Sequence, residues 1–304
     1  MSENASARAS LVATELATNL VKHAAGGWIL IGCDDEYVSL NITAIDKGEG
    51  IPNVRAALED GYSTAGSPGT GLGAVTRNAD HYDVYTSPGK GTALFCRIDD
   101  GRPATPPIPA PSRLRIAGVC IAKRGEQESG DSWGAAQHRD LATIIIADGL
   151  GHGDAAATAS LAAVRAFREH PDAGTDELIR RCHDALRATR GAAVGISRIL
   201  QSAGTLEFNG VGNIGGTIVN DESVRKTVSH NGIVGHEMRK VGAFTYPWQA
   251  SSILVMQSDG IGSGWNLGNY PGLQDHEPAV IAAVIFRDYC RGTDDATVVV
   301  AKAT

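Results

Sequence analysis

The sequence predicts an α/β chain of two domains. Three observations carry this. The 304 residues suit about two domains on length alone. Residues 99–112 read Asp-Asp-Gly-Arg-Pro-Ala-Thr-Pro-Pro-Ile-Pro-Ala-Pro-Ser and hold five of the twelve prolines, the composition of a semi-rigid, polyproline-like spacer. Both flanks of this stretch carry strand and helix patterns of their own. The division is therefore 1–98, spacer 99–112 and 113–304. The other reading of the proline-rich stretch is a long surface loop inside one domain.

Composition narrows the function classes. An apolar fraction of 42% is ample for packed cores. A net charge of −7 supplies no basic field for nucleic acid. No run approaches the roughly 18–20 apolar residues of a membrane span. Residues 1–10 are polar and small, without the apolar core of a signal peptide. The five cysteines are scattered, odd in number and without Cys-x-x-Cys spacing, which predicts small buried apolar residues in a reduced, cytoplasmic setting.

In the first domain, residues 11–24 carry apolar side chains at 12, 16, 20 and 24, a helical stripe. Glu15 and Asn19 are four apart and share a face beside that stripe. Residues 28–32 and 38–45 read as a strand hairpin that runs into Asp46-Lys47-Gly48-Glu49-Gly50. Two glycine-rich stretches follow, Gly66-Ser67-Pro68-Gly69-Thr70-Gly71-Leu72-Gly73 and Ser87-Pro88-Gly89-Lys90-Gly91-Thr92. An Asn on a helix can hold Mg²⁺ through its side-chain oxygen. A strand-end Asp can accept a hydrogen bond from the amino group of adenine. A glycine loop opening a helix offers backbone N–H groups to phosphate.

In the second domain, residues 114–122 read as an opening strand, followed by Lys123 and Arg124. These could hold a substrate phosphate or be ordinary surface charges. The apolar run 144–146 ends in Ala147-Asp148-Gly149-Leu150-Gly151-His152-Gly153, and an alanine-rich helix covers 155–169. This pattern is a buried strand that delivers a carboxylate at its end. Asp148 could meet a hard cation there, with backbone carbonyls as further oxygen ligands, or could simply cap the helix. His152 could serve as a general acid or orient the turn. Trp133 reads as a packing residue. A second helix is expected from 176 to 190, with Thr175 as N-cap and Gly191 beyond its end. Strands follow at 193–200, 205–211 and 216–219. A last helix begins at Pro278 and runs to about 291, after a loop at 262–277.

Other acidic clusters join Asp148: Gly130-Asp131-Ser132-Trp133 lies just before its strand, Ser258-Asp259-Gly260 repeats the strand-then-Asp-Gly pattern after 252–257, and Asp294-Asp295-Ala296-Thr297 leads into the strand 298–300. Strand-end carboxylates spread over one domain suggest convergence on a two-metal centre, which clamps phosphate and generates hydroxide near neutral pH. Taken in order, these motifs resemble the SpoIIE/RsbX-type branch of the metal-dependent (PPM) serine/threonine phosphatases, from about Arg115 onward. The resemblance implies an α-β-β-α sandwich holding two Mn²⁺ or Mg²⁺ ions through Asp131, Asp148, the Gly149 carbonyl, Asp259 and Asp294, with Asp148 and Asp259 central to catalysis. Asp295 is a less favoured ligand, because the family's ligand is the first residue of its Asp-Asp/Asn-x-Thr motif.

The motifs before the spacer resemble the GHKL (Bergerat) ATP-binding fold, and within it the RsbT-type serine kinases. Glu15 and Asn19 match its N-box, Asp46, Gly48 and Gly50 its first glycine box, and Gly69, Thr70, Gly71 and Gly73 its second. The stretches 59–66 and 89–92 add to the likeness. The resemblance implies ATP bound with Mg²⁺ at Asn19, and Glu15 as the group that polarises a substrate serine. Such kinases carry a strand and a helix ahead of the N-box helix, so a fold that is clipped, or dependent on a partner, is expected here. Together the two resemblances imply a cytoplasmic partner-switching protein that dephosphorylates, and by its first domain phosphorylates, a STAS-domain antagonist. The alternative is a phosphatase gated by a non-catalytic ATP- or partner-binding module.

Overall fold

The computed structural model describes residues 1–34, 39–58, 71–101, 114–238 and 241–303. The chain divides into two compact units. The first is Met1–Pro109 with Leu267–Arg287, and the second is Ala110–Asn266 with Asp288–Thr304. Residues 267–287, which the sequence assigns to the second domain, thus lie in the first unit. Most of the proline-rich spacer, at 102–112, falls outside the described residues, as do 59–66 and, in the second glycine box, Gly69 and Thr70.

The first unit opens with α1 (Glu3–His23), which starts earlier than the apolar stripe predicts. Ser2 caps it, its hydroxyl accepting from the Ala5 N–H. Ala5 and Ala9 extend the buried stripe of Val12, Leu16 and Leu20, and alanine carries too little apolar signal to be read as core in sequence. The Ser2 N–H donates to the buried Asp100. Strands β1 (Trp28–Asp34), β2 (Ser39–Ile45), β3 (His81–Ser87) and β4 (Gly91–Asp99) form one antiparallel sheet in the order β1-β2-β4-β3, with short helices α2 (Val54–Leu58) and α3 (Gly71–Asn78) between β2 and β3. One sheet face packs Ile42, Ala44, Leu94, Cys96 and Ile98 against α1 and Val75 of α3.

The second unit stacks two five-stranded antiparallel sheets. The strands are β5 (Leu114–Ile121), β6 (Asp131–His138), β7 (Leu141–Gly149), β8 (Ala192–Leu200), β9 (Thr205–Val211), β10 (Gly215–Val219), β11 (Val224–Lys226), β12 (Phe244–Pro247), β13 (Ile253–Gln257) and β14 (Ala296–Ala303). The sheet orders are β11-β10-β13-β14-β5 and β12-β9-β8-β7-β6. Ile144, Ile146, Phe208, Leu254, Met256 and Val299 fill the layer between them, with Trp133 packed at its margin as expected. Helices α4 (Asp154–Glu169) and α5 (Thr175–Leu186) cover the outer face of the second sheet through Ala163, Phe167, Leu178 and Cys182. Thr175 is not the N-cap: Gly174 is, and Thr175 is buried in the first turn. The helix also ends short of 190, where the Thr189 hydroxyl donates to the Leu186 carbonyl and accepts from the Gly191 N–H.

Within this unit the layers are α-β-β. Of α6 (Pro278–Tyr289), the residues up to Arg287 group with the first unit. Its residues from Pro278 to Arg287 are all buried, and a helix apolar on every side does not declare its partner in sequence. The loop before it, 262–277, is exposed at eight of its sixteen positions, as its polar composition suggests. Two short 3-10 turns, Leu267–Asn269 and Leu273–Asp275, bury Leu267, Tyr270 and Leu273. No helix among the described residues is long and apolar enough to cross a membrane. All five thiols are free, and burial pushes those of Cys96 and Cys182 up to about 12.

Candidate active site

Four strand ends of the second unit bring their acidic residues together. Asp131 opens β6 and stands directly opposite Asp148 near the end of β7. The pair is locked by the Gly149 N–H, which donates to the Gly130 carbonyl at 3.0 Å. Only glycine fits at 149, because a Cβ there would run into the Ala156 carbonyl at the start of α4. Asp259 follows β13, and Asp294 and Asp295 precede β14. These two strands are neighbours, and the Ser258 N–H donates to the Thr297 carbonyl at 3.1 Å.

The electrostatics are those of uncompensated like charges. Burial, then the charges of Asp131, Asp259, Asp294 and Asp295, push the Asp148 carboxyl up to about 8. Burial, with Asp295 and Asp259, pushes Asp131 up to about 7, against the lowering effect of the Ser258 hydroxyl that donates to it at 2.6 Å. Asp259 is raised by burial and Asp294, and lowered by Arg291 and Asn213. Asp295 is 4% exposed and accepts the Lys123 N–H at 2.8 Å. Asp131 Oδ1 and Asp295 Oδ2 are buried without a hydrogen-bond partner. Among the described residues no three His, Cys, Asp or Glu side chains already stand as they would around a metal ion.

Three residues here escape sequence reasoning. The exposed Asn213, on the turn between β9 and β10, donates its side-chain N–H to Asp259 at 2.6 Å; its signal is a polar residue after Gly at a strand end. Ser258 precedes the aspartate it serves indirectly, by holding Asp131. Glu126 grips His152, its Oε1 lying 2.6 Å from Nδ1. Arg124 is exposed, and Lys123 reaches the cluster through its backbone N–H.

In the first unit, Glu15 and Asn19 converge on the start of α3. A Cβ at Gly71 would lie 3.4 Å from Asn19 Oδ1 and 3.5 Å from Glu15 Oε2. Gly73 is buried in the same helix. Asp46 lies half-buried beyond β2. Its Oδ1 accepts the Gly48 N–H at 2.7 Å and the Thr92 N–H at 3.2 Å. Gly50 has a φ of 78°, a left-handed turn that glycine adopts without strain. The loop it closes is tied to β3, where the Thr86 hydroxyl accepts the Ile51 N–H at 2.8 Å.

A family model described as Stage II sporulation protein E (SpoIIE) matches residues 139–304. The chain belongs to the SpoIIE family. The match includes Asp148, Asp259, Asp294 and Asp295, and it ends with β14. A second likeness covers a smaller part of the chain: the serine/threonine-protein kinase RsbT of Bacillus subtilis (strain 168) is 39% identical over 90 residues, 29% of this chain and 68% of that protein. Among solved structures, RsbX in complex with magnesium aligns over 65% of this chain and 98% of its own, with a TM-score of 0.58 and 18% identity. A chain described as "The bacterial stressosome: a modular system that has been adapted to control secondary messenger signaling" aligns over 62% of this chain and 100% of its own, with a TM-score of 0.58 and 26% identity. This SpoIIE-family chain thus shares the fold of RsbX and carries an RsbT-related segment.

Proposed function

We propose that the second unit is a metal-dependent serine/threonine protein phosphatase. The observation that carries this reading is the set of carboxylates from four strand ends, buried or half-buried, mutually repelling, and with two orphaned oxygens. Such an all-oxygen donor set fits a hard divalent cation. Asp131, Asp148, the Gly149 carbonyl, Asp259 and Asp294 would hold two Mn²⁺ or Mg²⁺ ions. When bound, these ions supply charge against a phosphate and a water that ionises near neutral pH. The chain's own residues orient the ligands: Ser258 fixes Asp131, and Asn213 fixes Asp259. His152, held by Glu126, is the group that can carry a proton toward a leaving serine oxygen. Hydrolysis of a phosphoserine peptide should vanish with EDTA and return with Mn²⁺. Activity that survives exhaustive chelation overturns the reading.

The first unit, in this proposal, binds ATP with Mg²⁺ through Asn19, Asp46 and the glycine loops, and acts as the opposing serine kinase, with Glu15 polarising the substrate hydroxyl. The RsbT likeness and the convergence of Glu15 and Asn19 on Gly71 support it. The shared partner would be a STAS-domain antagonist of a partner-switching pathway. A second reading, in which the first unit only gates the phosphatase, is favoured by the grouping of residues 267–287 with that unit. Transfer of labelled phosphate from ATP to the antagonist by the Asp148→Ala chain separates the two. Labelled antagonist supports the kinase, and ATP binding without transfer supports gating.

A further inference from the structure

Residues 267–287 leave the second unit and return to it, and the chain that flanks this excursion on either side carries Asp259 and Asp294. Its base is a short antiparallel ladder in the second unit. The Arg291 N–H donates to the Gly260 carbonyl at 2.9 Å, the Gly262 N–H donates to the Tyr289 carbonyl at 2.9 Å, and Ile261 bridges Cys290. Asp259 directly precedes one strand of the ladder, and Asp294 closely follows the other. The two carboxylates also act on each other electrostatically.

Inside the first unit the excursion is gripped at three points. The Lys90 ammonium sits over the Tyr270 ring, 5.3 Å from its centroid. Asp83 on β3 accepts the Glu277 N–H at 2.6 Å through Oδ2, and its Oδ1 lies 2.8 Å from His276 Nδ1. His81, two residues away, has its Nε2 3.0 Å from Glu277 Oε1. Trp28 and Phe286 meet edge to face at 5.3 Å. His81, Asp83 and Tyr85 alternate along β3 with Val84, which faces α1, so α6 occupies the opposite sheet face. The grip shares β3 and its hairpin with the Asp46 loop. Thr86 holds that loop through Ile51, and the Gly89 N–H donates to the Glu49 carbonyl at 2.9 Å.

We infer that the first unit is a regulatory seat for this excursion, and that its hold on Tyr270, His276–Glu277 and Phe286 sets the ladder that carries Asp259 and Asp294. Asp83 is then a positioning residue for a site to which it contributes no ligand. The inference rests on Asp259 and Asp294 belonging to the phosphatase site. A ladder pinned by a seated helix keeps its two carboxylates in register. Releasing the seat gives them freedom that ion binding must then remove.

The test uses the full chain and the variant Asp83→Ala. Two readouts are followed: hydrogen exchange of the Gly262 and Arg291 amides, and Mn²⁺-dependent hydrolysis of p-nitrophenyl phosphate. Both amides should exchange faster, and turnover should fall, each by about fivefold or more, the lower range of allosteric coupling. Asp83→Asn, which keeps an acceptor for the Glu277 N–H, should restore both to within about twofold, since one neutral hydrogen bond replaces a charged one. Faster exchange at the Glu277 amide with unchanged Gly262 and Arg291 amides and unchanged turnover would overturn the inference. If the unaltered chain shows no Mn²⁺-dependent hydrolysis, the phosphatase reading fails, and the two amides alone decide the seat. If Asp83→Ala does not fold, Tyr270→Leu, which removes the Lys90 contact and keeps an apolar side chain, decides by the same readouts.

Discussion

Asp83 in the first unit and Asp148 in the second are both substantially buried, yet they are driven in opposite directions. Burial acts to raise Asp83, but the hydrogen bonds from His276 and the Glu277 N–H outweigh it and hold its carboxyl below the usual range. The charges that act on Asp148 are those of other aspartates, so burial and repulsion add up. Asp46 also accepts backbone N–H groups, two of them on one oxygen. Carboxylates that are already satisfied shape a loop or seat a helix. Carboxylates left uncompensated create a demand for a cation.

The sharpest way to break this contrast is to remove one uncompensated carboxylate. Asp148→Asn should lower Mn²⁺-dependent phosphoserine hydrolysis by more than about 100-fold, because even outer partners of metal ligands cost about 10–100-fold. Glu15→Ala should leave that rate unaltered in the same assay. Asn213→Ala should then weaken Mn²⁺ binding by about 10–100-fold, as expected of a side chain that only orients a ligand; calorimetric titration with Mn²⁺ checks it. In the first unit, Asp46→Asn should weaken ATP by about 1–3 kcal/mol, the cost of an unpaired buried donor. Equal affinity for ATP and GTP in the unaltered chain would count against adenine recognition by Asp46.

The smallest effect concerns stability without metal. Asp131 and Asp148 are raised from 3.8 to about 7 and about 8. Between those limits the folded chain holds protons that the unfolded chain releases, so metal-free stability falls as pH rises from about 4 to about 8. Asp148→Asn should therefore raise the metal-free Tm at pH 8 and change it little at pH 4, at roughly 2–4 °C per kcal/mol for a domain of this size. A larger gain at pH 4 than at pH 8 would contradict the sign.

Asp148, Asp259 and Asp294 were legible because each flanks an apolar run and adjoins glycine or a second acid, and Asp131 because it follows glycine shortly before the Asp148 strand. Helix α4 and the strands β1, β2, β5, β7 to β10, β13 and β14 were legible through their apolar runs, whereas β3, β4, β6, β11 and β12 were not read as strands. What pairing alone creates was not legible. Asn213 reaches Asp259 across 46 residues, and Glu126 reaches His152 across 26, so neither contact leaves a local trace. The early start of α1 was hidden in alanines. The assignment of α6 was hidden by its uniform apolarity, since a stripe points to one partner and a fully apolar cylinder points nowhere.

The discontinuity of the first unit also bears on the order in which the chain is made. A ribosome releases Met1–Pro109 first, yet the helix that completes this unit is not synthesised until Pro278–Tyr289. Until then the sheet face carrying Trp28, Asp83 and Tyr85 has no cover. N-terminal domains generally fold first during synthesis. Here the first unit must wait, half-finished, while nearly the whole of the second emerges. A nascent chain stalled before residue 278 should therefore expose a sticky sheet face and engage chaperones, and one stalled after α6 has cleared the exit tunnel should not.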